Sequence, residues 1–288
     1  MDYRAEPAVG DLMSPPYFSG VYADEPCAGP DPFNTPGWLS HCQHAAEGIP
    51  RCAFLGTPSR SAWRTALGKG YAYLRSPRWA ARHFLTGTAC ARHLWPVAAM
   101  IRDLYLQQGK VSVLDIGGGF GDNFFELLNV LDPKILEGLR YDIVDNEGSR
   151  ELGQHVFRDY RTRPAFLPNA TERYDIVMLI GTLQYVQTWR DLLRSIRSRY
   201  LYIARSPIAT EVASYATTQW VCPTLGSHAG RLIGTTRVHV IGLEDLRAPL
   251  SQWRPCFEWA DTDYSAQFSR LPSPWRQVRY YCMGWAAQ

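Results

Sequence analysis

The sequence predicts an α/β fold built on a mostly parallel, doubly wound sheet, and three observations support this prediction. Residues 111–116 form an apolar, β-branched run that breaks into a glycine-rich turn, and apolar residues at helical spacing resume over residues 123–130. A second apolar run, residues 139–144, follows and ends in acidic and amide residues. Further strand-like runs then alternate with helical segments, which is typical of a sheet covered by helices on both faces.

The turn after the first run carries glycines at alternate positions, Gly117, Gly119 and Gly121. Glycine adopts positive φ at little cost and has no Cβ to collide with a ligand that approaches the backbone. Asp115 lies two residues before the first glycine, and its carboxylate would repel a phosphate but could hold an amine or a hydroxyl. The turn therefore predicts a nucleotide-type site without a pyrophosphate. The alternative is an ordinary tight turn between a strand and a helix.

An acidic residue, Asp145, ends the second run 24 residues after Gly121. Roughly 20 residues separate the glycine turn from the acid that binds ribose hydroxyls in dinucleotide-binding sheets. We therefore predict Asp145 as a ribose ligand. The alternative is an acid that stabilises a turn or caps a helix, because Asp-Asn is also common turn chemistry.

Six later runs complete the predicted strands. Residues 174–181 are almost wholly apolar, as expected of a parallel strand buried on both faces, whereas residues 165–168 are short and weakly patterned. The remaining predicted strands are 200–204, 237–241, 253–260 and 276–285, of which the last two resemble a closing antiparallel pair. Ligands in such sheets bind beyond the carboxyl ends of the strands. We therefore expect the glycine turn, Asp145, Gly181 and Arg205 to meet there.

The glycine motif resembles motif I of the class I S-adenosylmethionine-dependent methyltransferases, which has the pattern D-x-G-x-G-x-G. A dinucleotide-binding turn would instead have G-x-G-x-x-G. The resemblance implies a Rossmann-like, seven-stranded sheet with S-adenosylmethionine as the cofactor. The residues implied to bind it are Asp115, Gly117, Gly119, Gly121, Asp145 and Gly181.

A second resemblance covers nearly the whole chain. Residues 18–22, 181–186, 204–207 and 219–223 are similar to segments of a poorly characterised branch of bacterial methyltransferase-like proteins. Members are associated with surface-glycan or secondary-metabolite pathways, and related azetidine-2-carboxylate synthases cyclise the aminobutyryl arm of S-adenosylmethionine. The resemblance implies methyl transfer to a small acceptor as the first interpretation, cyclisation of the cofactor as the alternative, and a non-catalytic methyltransferase-like partner protein as the third.

Polar and aromatic residues after the predicted strands are expected to face the amino-acid arm of the cofactor. Tyr185 could place its ring under the sulfonium through a cation–π interaction, and the alternative is packing in the core. The amide and hydroxyl groups in this set could orient an amine. The candidate catalytic residues are Tyr185, Asn146, Gln184 and Ser206. His228 and His239 are weaker candidates for a general base, because a lone histidine is more often structural.

Composition and charge narrow the classes of function. The 288-residue chain has a formal net charge of +3 without a long basic run, so nucleic-acid binding has little electrostatic support. It has no run of about 20 apolar residues and no signal-peptide pattern, so we expect a cytoplasmic protein that does not span a membrane. The expected partner is a small-molecule substrate. The oligomeric state is left open.

The seven cysteines are scattered without C-x-x-C spacing, which is typical of reduced, mostly buried thiols. His41, Cys42, His44 and Cys52 lie near one another in the sequence, but they match no common zinc spacing. No acidic cluster accompanies the strand at 174–181, which disfavours metal-dependent transfer. We therefore predict no metal site.

The chain divides into three predicted regions. Residues 1–60 are rich in proline, glycine and aromatic residues and are interpreted as an irregular covering segment or lid. Residues 61–108 are predicted as flanking helices, and residues 109–288 as the S-adenosylmethionine-binding catalytic domain. The two apolar helical stripes consist of Trp63, Leu67, Tyr71 and Leu74, and of Leu94, Val97, Ala98, Ile101 and Leu104.

Overall fold

A computed structural model gives the fold of residues 18–23, 31–47, 93–170, 172–223, 227, 231–261, 268 and 270–288. The helices in these residues are α1 (Pro36–Glu47), α2 (Trp95–Gln108), α3 (Asp122–Val130), α4 (Pro133–Glu137), α5 (Glu147–Val156), α6 (Trp189–Ser195) and α7 (Leu243–Arg247). The strands are β1 (Phe18–Tyr22), β2 (Val111–Ile116), β3 (Leu139–Val144), β4 (Ala165–Leu167), β5 (Tyr174–Ile180), β6 (Ser198–Ala209), β7 (Tyr215–Val221), β8 (Gly234–Gly242), β9 (Trp253–Asp261) and β10 (Val278–Ala287). Short 3₁₀ turns occupy Pro32–Asn34, Leu183–Tyr185 and Ala248–Leu250.

Seven of the strands form a central sheet in the order β4-β3-β2-β5-β6-β10-β9. The strands from β4 to β6 are parallel to one another, and β10 runs antiparallel to both β6 and β9. The antiparallel pair expected near the end of the chain is therefore present, with β10 placed beside β6. This arrangement confirms the predicted α/β fold with a mostly parallel, seven-stranded sheet.

Both faces of the central sheet are buried, which explains why β5 consists almost entirely of apolar residues. Ile176 and Met178 pack with residues of α2 and α3 on one face. Val177 and Leu179 pack with residues of α6 on the other face. Successive side chains of a strand point to opposite faces, so a strand covered on both sides needs apolar residues at every position.

A second, antiparallel sheet extends the central one and was not predicted. β7 pairs with β8, β1 adds to the other edge of β7, and the end of β8 pairs with Ile208 and Ala209 of β6. The predicted short strand at 237–241 lies inside β8. The pairing of β1 with β7 joins segments almost 200 residues apart, as in the hydrogen bond from the Thr217 hydroxyl to the Gly20 carbonyl. Local periodicity cannot reveal a partner at that separation.

The prediction that residues 1–60 are irregular is wrong for two segments, since β1 is a strand and α1 is a helix of 12 residues. The prolines and glycines of these two segments have roles that depend on their exact positions, and amino-acid composition does not show these roles. Pro36 is the first residue of α1, where the missing N–H costs no hydrogen bond, and Gly20 adopts a φ of 74° within β1. The predicted division into three regions stays a prediction.

The second helical stripe is confirmed on α2 and the residue preceding it. Leu94, Val97, Ala98, Ile101 and Leu104 are all buried against the central sheet. The first stripe, residues 63–74, lies outside the described residues. In the part of the chain that the structure describes, no helix is both long enough and apolar enough to cross a membrane.

We predict that Leu104→Ala lowers the free energy of unfolding by about 2–5 kcal/mol, because it leaves a cavity among fully buried side chains. Leu106 on the same helix is 73% exposed and provides the matched control, for which Leu106→Ala should change stability by less than about 0.5 kcal/mol. Urea unfolding of both variants measures the difference. Equal losses would contradict the packing described for α2.

Candidate functional site

The glycine turn joins β2 to α3 at the carboxyl edge of the sheet, as predicted. Gly117, Gly119 and Gly121 have φ angles of 73°, 58° and 100°, a region that L side chains rarely adopt. The Gly117 N–H donates to the Val144 carbonyl at the end of β3, over 2.7 Å. The Thr182 hydroxyl, which follows β5, donates to the Gly117 carbonyl over 3.2 Å. The turn is therefore tied to both strands that flank β2.

The glycines differ in what surrounds them. A Cβ at Gly117 would lie 2.3 Å from Thr182, and one at Gly121 would lie 2.7 Å from Phe157, so these two positions are needed for packing. A Cβ at Gly119 would meet only an Asp122 oxygen at 3.8 Å, and one at Gly181 would meet nothing within 4 Å. Gly119 and Gly181 therefore both border open space at the carboxyl edge of the sheet. We take the space beside these two glycines as the candidate binding site and call it the cleft.

Asp115 lies beneath the turn and is fully buried. Its Oδ2 accepts hydrogen bonds from the Tyr141 hydroxyl over 2.8 Å and from the Asn123 amide over 3.1 Å. A Cβ on Gly118 would lie 2.4 Å from the same oxygen. Burial raises the pKa of Asp115 to about 7, although the two hydrogen bonds oppose the shift. Asp115 thus supports the turn from below, and direct contact with a ligand stays a prediction.

Asp145 follows β3 and closes the other side of the turn. Its carboxylate accepts hydrogen bonds from the Gly119 N–H over 2.8 Å and from the Asn146 N–H over 2.7 Å. Burial raises the pKa of Asp145, and these backbone hydrogen bonds oppose the shift. The structure therefore brings the predicted ribose acid into direct contact with the glycine that borders the cleft.

Three of the four candidate catalytic residues, Asn146, Gln184 and Ser206, differ in how far their side chains are hydrogen-bonded within the protein. Asn146 caps α5, because its side-chain oxygen accepts from the Ser149 N–H over 3.0 Å. Gln184 is 6% exposed and donates to the Gly181 carbonyl over 2.9 Å, while its amide oxygen has no hydrogen-bond partner among the described residues. Ser206 is fully buried, and its hydroxyl likewise has none.

Tyr185, the fourth candidate, lies in the 3₁₀ turn after β5. Its hydroxyl donates to the Gln219 amide oxygen over 2.8 Å, and its ring makes an edge contact with Phe33 at 4.8 Å between centroids. Burial raises the pKa of Tyr185, although Gln184, Gln219 and Arg205 oppose the shift. The ring also packs against the apolar cluster of β1, β7 and β8, as the core-packing alternative expected, and the hydroxyl is anchored to β7. Contact of Tyr185 with a ligand stays a prediction.

Arg205 occupies a β-bulge near the carboxyl edge of β6. The register with β10 shifts here, because Ser206 pairs with Tyr281 and Ala204 pairs with Cys282. Arg205 is the extra residue, and its φ of 54° makes it the one described non-glycine residue with positive φ. Such backbone strain costs about 1–3 kcal/mol and is found mostly at functional sites, and bulges redirect side chains. The sequence placed Arg205 at this edge but could not show the bulge.

Two acidic residues that the sequence analysis missed, Asp122 and Glu126, lie on α3. Asp122 has an exposed surface although protein atoms surround it closely, as expected of a side chain in the wall of a cleft. Burial raises the pKa of Asp122, and the charge of Arg205 opposes the shift. Burial, aided by the charge of Asp122, raises the pKa of Glu126 to about 7. Their four-residue spacing on the helix, which places two acids on one face, was a signal in the sequence.

His93, which precedes α2, is another residue that the sequence analysis missed. Burial and then the charge of Arg205 lower the pKa of His93 to about 4, although a hydrogen bond with Asn123 opposes the shift. The imidazole is therefore neutral at physiological pH. His239, one of the two histidines considered as a base, lies buried within β8, and His228 lies outside the described residues.

Residues 31–47 cover the cleft. A Cβ on Gly148 at the start of α5 would lie 2.9 Å from Leu39 of α1, and Phe33 contacts Tyr185 on the β5 side. Burial raises the pKa of the Cys42 thiol to about 12, with the charges of Asp122 and Asp145 as further causes. Cys42 therefore lies close to both acids. The segment crosses the carboxyl edge of the sheet from β3 to β5.

Unpartnered polar atoms are concentrated around this cleft. Seven buried side-chain nitrogen or oxygen atoms have no hydrogen-bond partner among the described residues, and five of them belong to residues of the site. These five are on His93, Asp115, Glu126, Gln184 and Ser206. Buried polar groups are nearly always satisfied in folded proteins, so such a concentration indicates a place where a ligand or water supplies the partners.

The comparisons with known proteins give matches among solved structures alone. The chain matches no protein-family model and no curated protein. Magnesium protoporphyrin IX methyltransferase from Synechocystis PCC 6803, with bound S-adenosylmethionine, is 12% identical with a TM-score of 0.42, over 67% of this chain and 79% of that one. The 1,6-didemethyltoxoflavin N1-methyltransferase from Burkholderia thailandensis is 17% identical with a TM-score of 0.42, over 83% and 94%.

A third similar structure, an S-adenosylmethionine-dependent methyltransferase from Clostridium acetobutylicum, is 9% identical with a TM-score of 0.42, over 73% of this chain and 98% of that one. All three are described as methyltransferases. Because the TM-scores lie below 0.5, the assignment of the fold depends on the strand order of this chain and the assignment of the site depends on its own residues.

We predict that the stability advantage of the wild type over Asp115→Asn decreases from about pH 5 to about pH 8. A carboxyl whose pKa is raised by folding binds a proton more tightly in the folded state, so its contribution to stability is lost as pH rises through the folded pKa. The change should exceed about 1 kcal/mol, since one pKa unit corresponds to about 1.4 kcal/mol. Urea unfolding at each pH measures it.

Asp175→Asn is the control with the opposite sign. Partial burial would raise the pKa of Asp175, but hydrogen bonds from the Ser112 N–H and hydroxyl outweigh it and lower the pKa. The contribution of Asp175 to stability is therefore lost as pH falls below 3.8, the ordinary pKa of an aspartate side chain. Above about pH 5, the stability difference between the wild type and Asp175→Asn should not change with pH. If the stability difference between the wild type and Asp115→Asn does not change with pH, the pKa of the carboxyl group beneath the turn is not raised by burial.

Proposed function

We propose that the protein binds S-adenosylmethionine in the cleft beside Gly119 and Gly181. The observation that carries this proposal is the turn itself, in which Gly119 has positive φ, borders open space and donates its N–H to Asp145. The acids around the turn disfavour a ligand with phosphate groups. They suit one that offers ribose hydroxyls and a positive charge.

Each part of the cleft fits one part of this cofactor. Asp145 would hold the ribose hydroxyls, and the backbone at Gly119 would lie against the nucleoside. Asp122 and Glu126 would favour the positively charged end through their negative charge. When bound, S-adenosylmethionine supplies a carbon attached to a positively charged sulfur, which a nucleophile can displace.

The reaction proposed first is methyl transfer to a small-molecule acceptor, in the biosynthesis of a secondary metabolite or a glycan. Residues 31–47 cover the cleft, so the acceptor must be small enough to fit beneath α1 or must enter beside it. Displacement at carbon requires the nucleophile and the sulfur to be aligned, with the nucleophile roughly 3–3.5 Å from the carbon. Residues that hold and deprotonate the acceptor are therefore the main contribution of the protein.

Cyclisation of the cofactor to azetidine-2-carboxylate is the second candidate. The observation that favours it is the aromatic cluster of Phe33, Trp38 and Tyr185, whose rings make successive edge contacts at 4.9 Å and 4.8 Å. An aromatic ring beside the sulfonium would stabilise its charge by about 0.5–2 kcal/mol.

We predict that Gly119→Val abolishes S-adenosylmethionine binding, because the added side chain would occupy the space where the nucleoside lies. Gly109→Val is the matched control. Gly109 also has positive φ, at 71°, and also borders open space, but it caps the C-terminus of α2 away from the cleft. Both variants should lose a similar amount of stability, about 1–2 kcal/mol or more for a strained residue. Calorimetric titration should show binding in the control alone, and binding retained in Gly119→Val would contradict the proposed site.

We predict that incubation with S-adenosylmethionine and a panel of small acceptors yields S-adenosylhomocysteine, and that the cofactor alone yields none. If the second candidate is correct, the cofactor alone yields methylthioadenosine and a cyclic amino acid, because the nucleophile is already attached to the electrophile. Mass spectrometry distinguishes the products. Tight binding without either product would favour a non-catalytic methyltransferase-like partner protein.

A further inference from the structure

Two carboxylates and one guanidinium share one side of the cleft. Asp122 begins α3, and Glu126 follows four residues later on the same face of the helix. The charge of Arg205 opposes the pKa increase that burial produces at both acids, so Arg205 lies within electrostatic reach of each. His93 also lies within reach of Arg205 and is neutral.

Glu126 has a carboxylate oxygen, Oε2, that is sealed from solvent and has no hydrogen-bond partner among the described residues. An unpaired buried carboxylate oxygen destabilises the fold. Gln184, in the turn after β5, and Ser206, in β6, are both more than nine-tenths buried. Each also has a polar side-chain atom without a hydrogen-bond partner among the described residues. Three separate elements therefore leave polar atoms unpaired around one cleft, as expected where a ligand supplies the partners.

We infer that the nucleophile in this cleft is an amine and that Glu126 accepts its proton. The inference rests on the proposed use of S-adenosylmethionine. It does not use Asn146, whose side-chain oxygen caps α5, and the expectation that Asn146 orients an amine stays a prediction. Gln184 and Ser206 remain free to accept or donate one hydrogen bond each to the bound molecule.

The charges of the cleft favour an amine over a hydroxyl. Burial raises the pKa of Glu126 to about 7, so the carboxyl group is close to half ionised at neutral pH. Such a group can take a proton from an ammonium ion, but a hydroxyl is far less acidic and would need a stronger base. Asp122 adds a second negative charge that attracts an ammonium ion, and Arg205 suits a carboxylate on the same molecule. The cleft therefore fits an α-amino acid group.

Glu126 takes one proton from the ammonium nitrogen and becomes a neutral carboxylic acid. The freed lone pair forms a bond from nitrogen to a carbon attached to sulfur, and the carbon–sulfur bond breaks with its electron pair left on sulfur. Sulfur thereby loses its positive charge, and the nitrogen that formed the new bond carries one. No oxidant, reductant or further reactant is needed.

The amine has two sources with the same chemistry, a free amino acid acceptor or the amino group of S-adenosylmethionine itself. One assay arm therefore contains S-adenosylmethionine alone, and the other adds a mixture of α-amino acids. Methylthioadenosine in the first arm identifies the internal amine. S-adenosylhomocysteine that appears only in the second arm identifies a free acceptor.

We predict that Glu126→Gln lowers turnover at saturating S-adenosylmethionine by about 100-fold or more at neutral pH in whichever arm is active. The same variant should weaken S-adenosylmethionine binding by about 10-fold or less, which is the effect of removing one charge whose pKa the cofactor shifts by about one unit. Glu151→Gln, at an exposed position of α5, is the matched control and should leave both unchanged. Turnover of Glu126→Gln within about 3-fold of the wild type would overturn the inference. A loss of affinity as large as the loss of turnover would also overturn it, because Glu126 would then act in binding alone.

A second measurement decides the question without turnover. A sulfonium beside Glu126 lowers its pKa, so the wild type should release a proton when it binds S-adenosylmethionine between about pH 6 and pH 7. Calorimetry in two buffers with different ionisation enthalpies measures this release, which should be smaller in Glu126→Gln than in the wild type and unchanged in Glu151→Gln. Equal release in all three proteins overturns the inference. Failure of the wild type to bind the cofactor overturns the proposed function itself.

Discussion

The glycine turn between β2 and α3 depends on a carboxyl group buried directly beneath it. Asp115 receives hydrogen bonds from Tyr141 and Asn123, and Gly118 lies so close to it that no side chain could be accommodated there. The turn above can then adopt positive φ and present Gly119 to open space. Because the Gly119 N–H also binds Asp145, the position of the neighbouring strand β3 is linked to the same turn. The packing around Asp115 therefore sets the geometry of the site.

Acidic side chains outnumber basic ones among the residues described around the cleft, and burial raises the pKa values of the acids. Asp115, Asp122, Glu126 and Asp145 all have pKa values raised by burial, so the cleft is short of positive charge when it holds no ligand. Arg205 supplies part of that charge from a strained bulge. A cationic ligand would stabilise every one of these carboxylates. This requirement connects the buried acids to the proposed sulfonium cofactor and to the inferred amine nucleophile.

The covering segment shows how distant parts of the chain complete the site. α1 packs on the start of α5, and the preceding 3₁₀ turn reaches Tyr185, so residues before 50 form walls for a cleft built from residues after 110. The sequence analysis expected a cover from composition, because aromatic residues need a surface to bury against. It did not predict the strand β1 or the helix α1. Both are stabilised by partners far away in the sequence, and local patterns do not record such partners.

The sequence by itself determined the central sheet, the glycine turn and the position of Asp145, because strand periodicity, alternate glycines and an acid at the right interval are all local features. It also placed Gln184, Tyr185, Arg205 and Ser206 at one edge, since parallel strands end together. Only the tertiary structure decided what each side chain does there. Asn146 caps a helix, Asp115 supports the turn from below, and Glu126 and His93 enter the site because helix packing turns them toward Arg205. Burial and hydrogen bonding assign these roles, and both depend on which segments fold against one another.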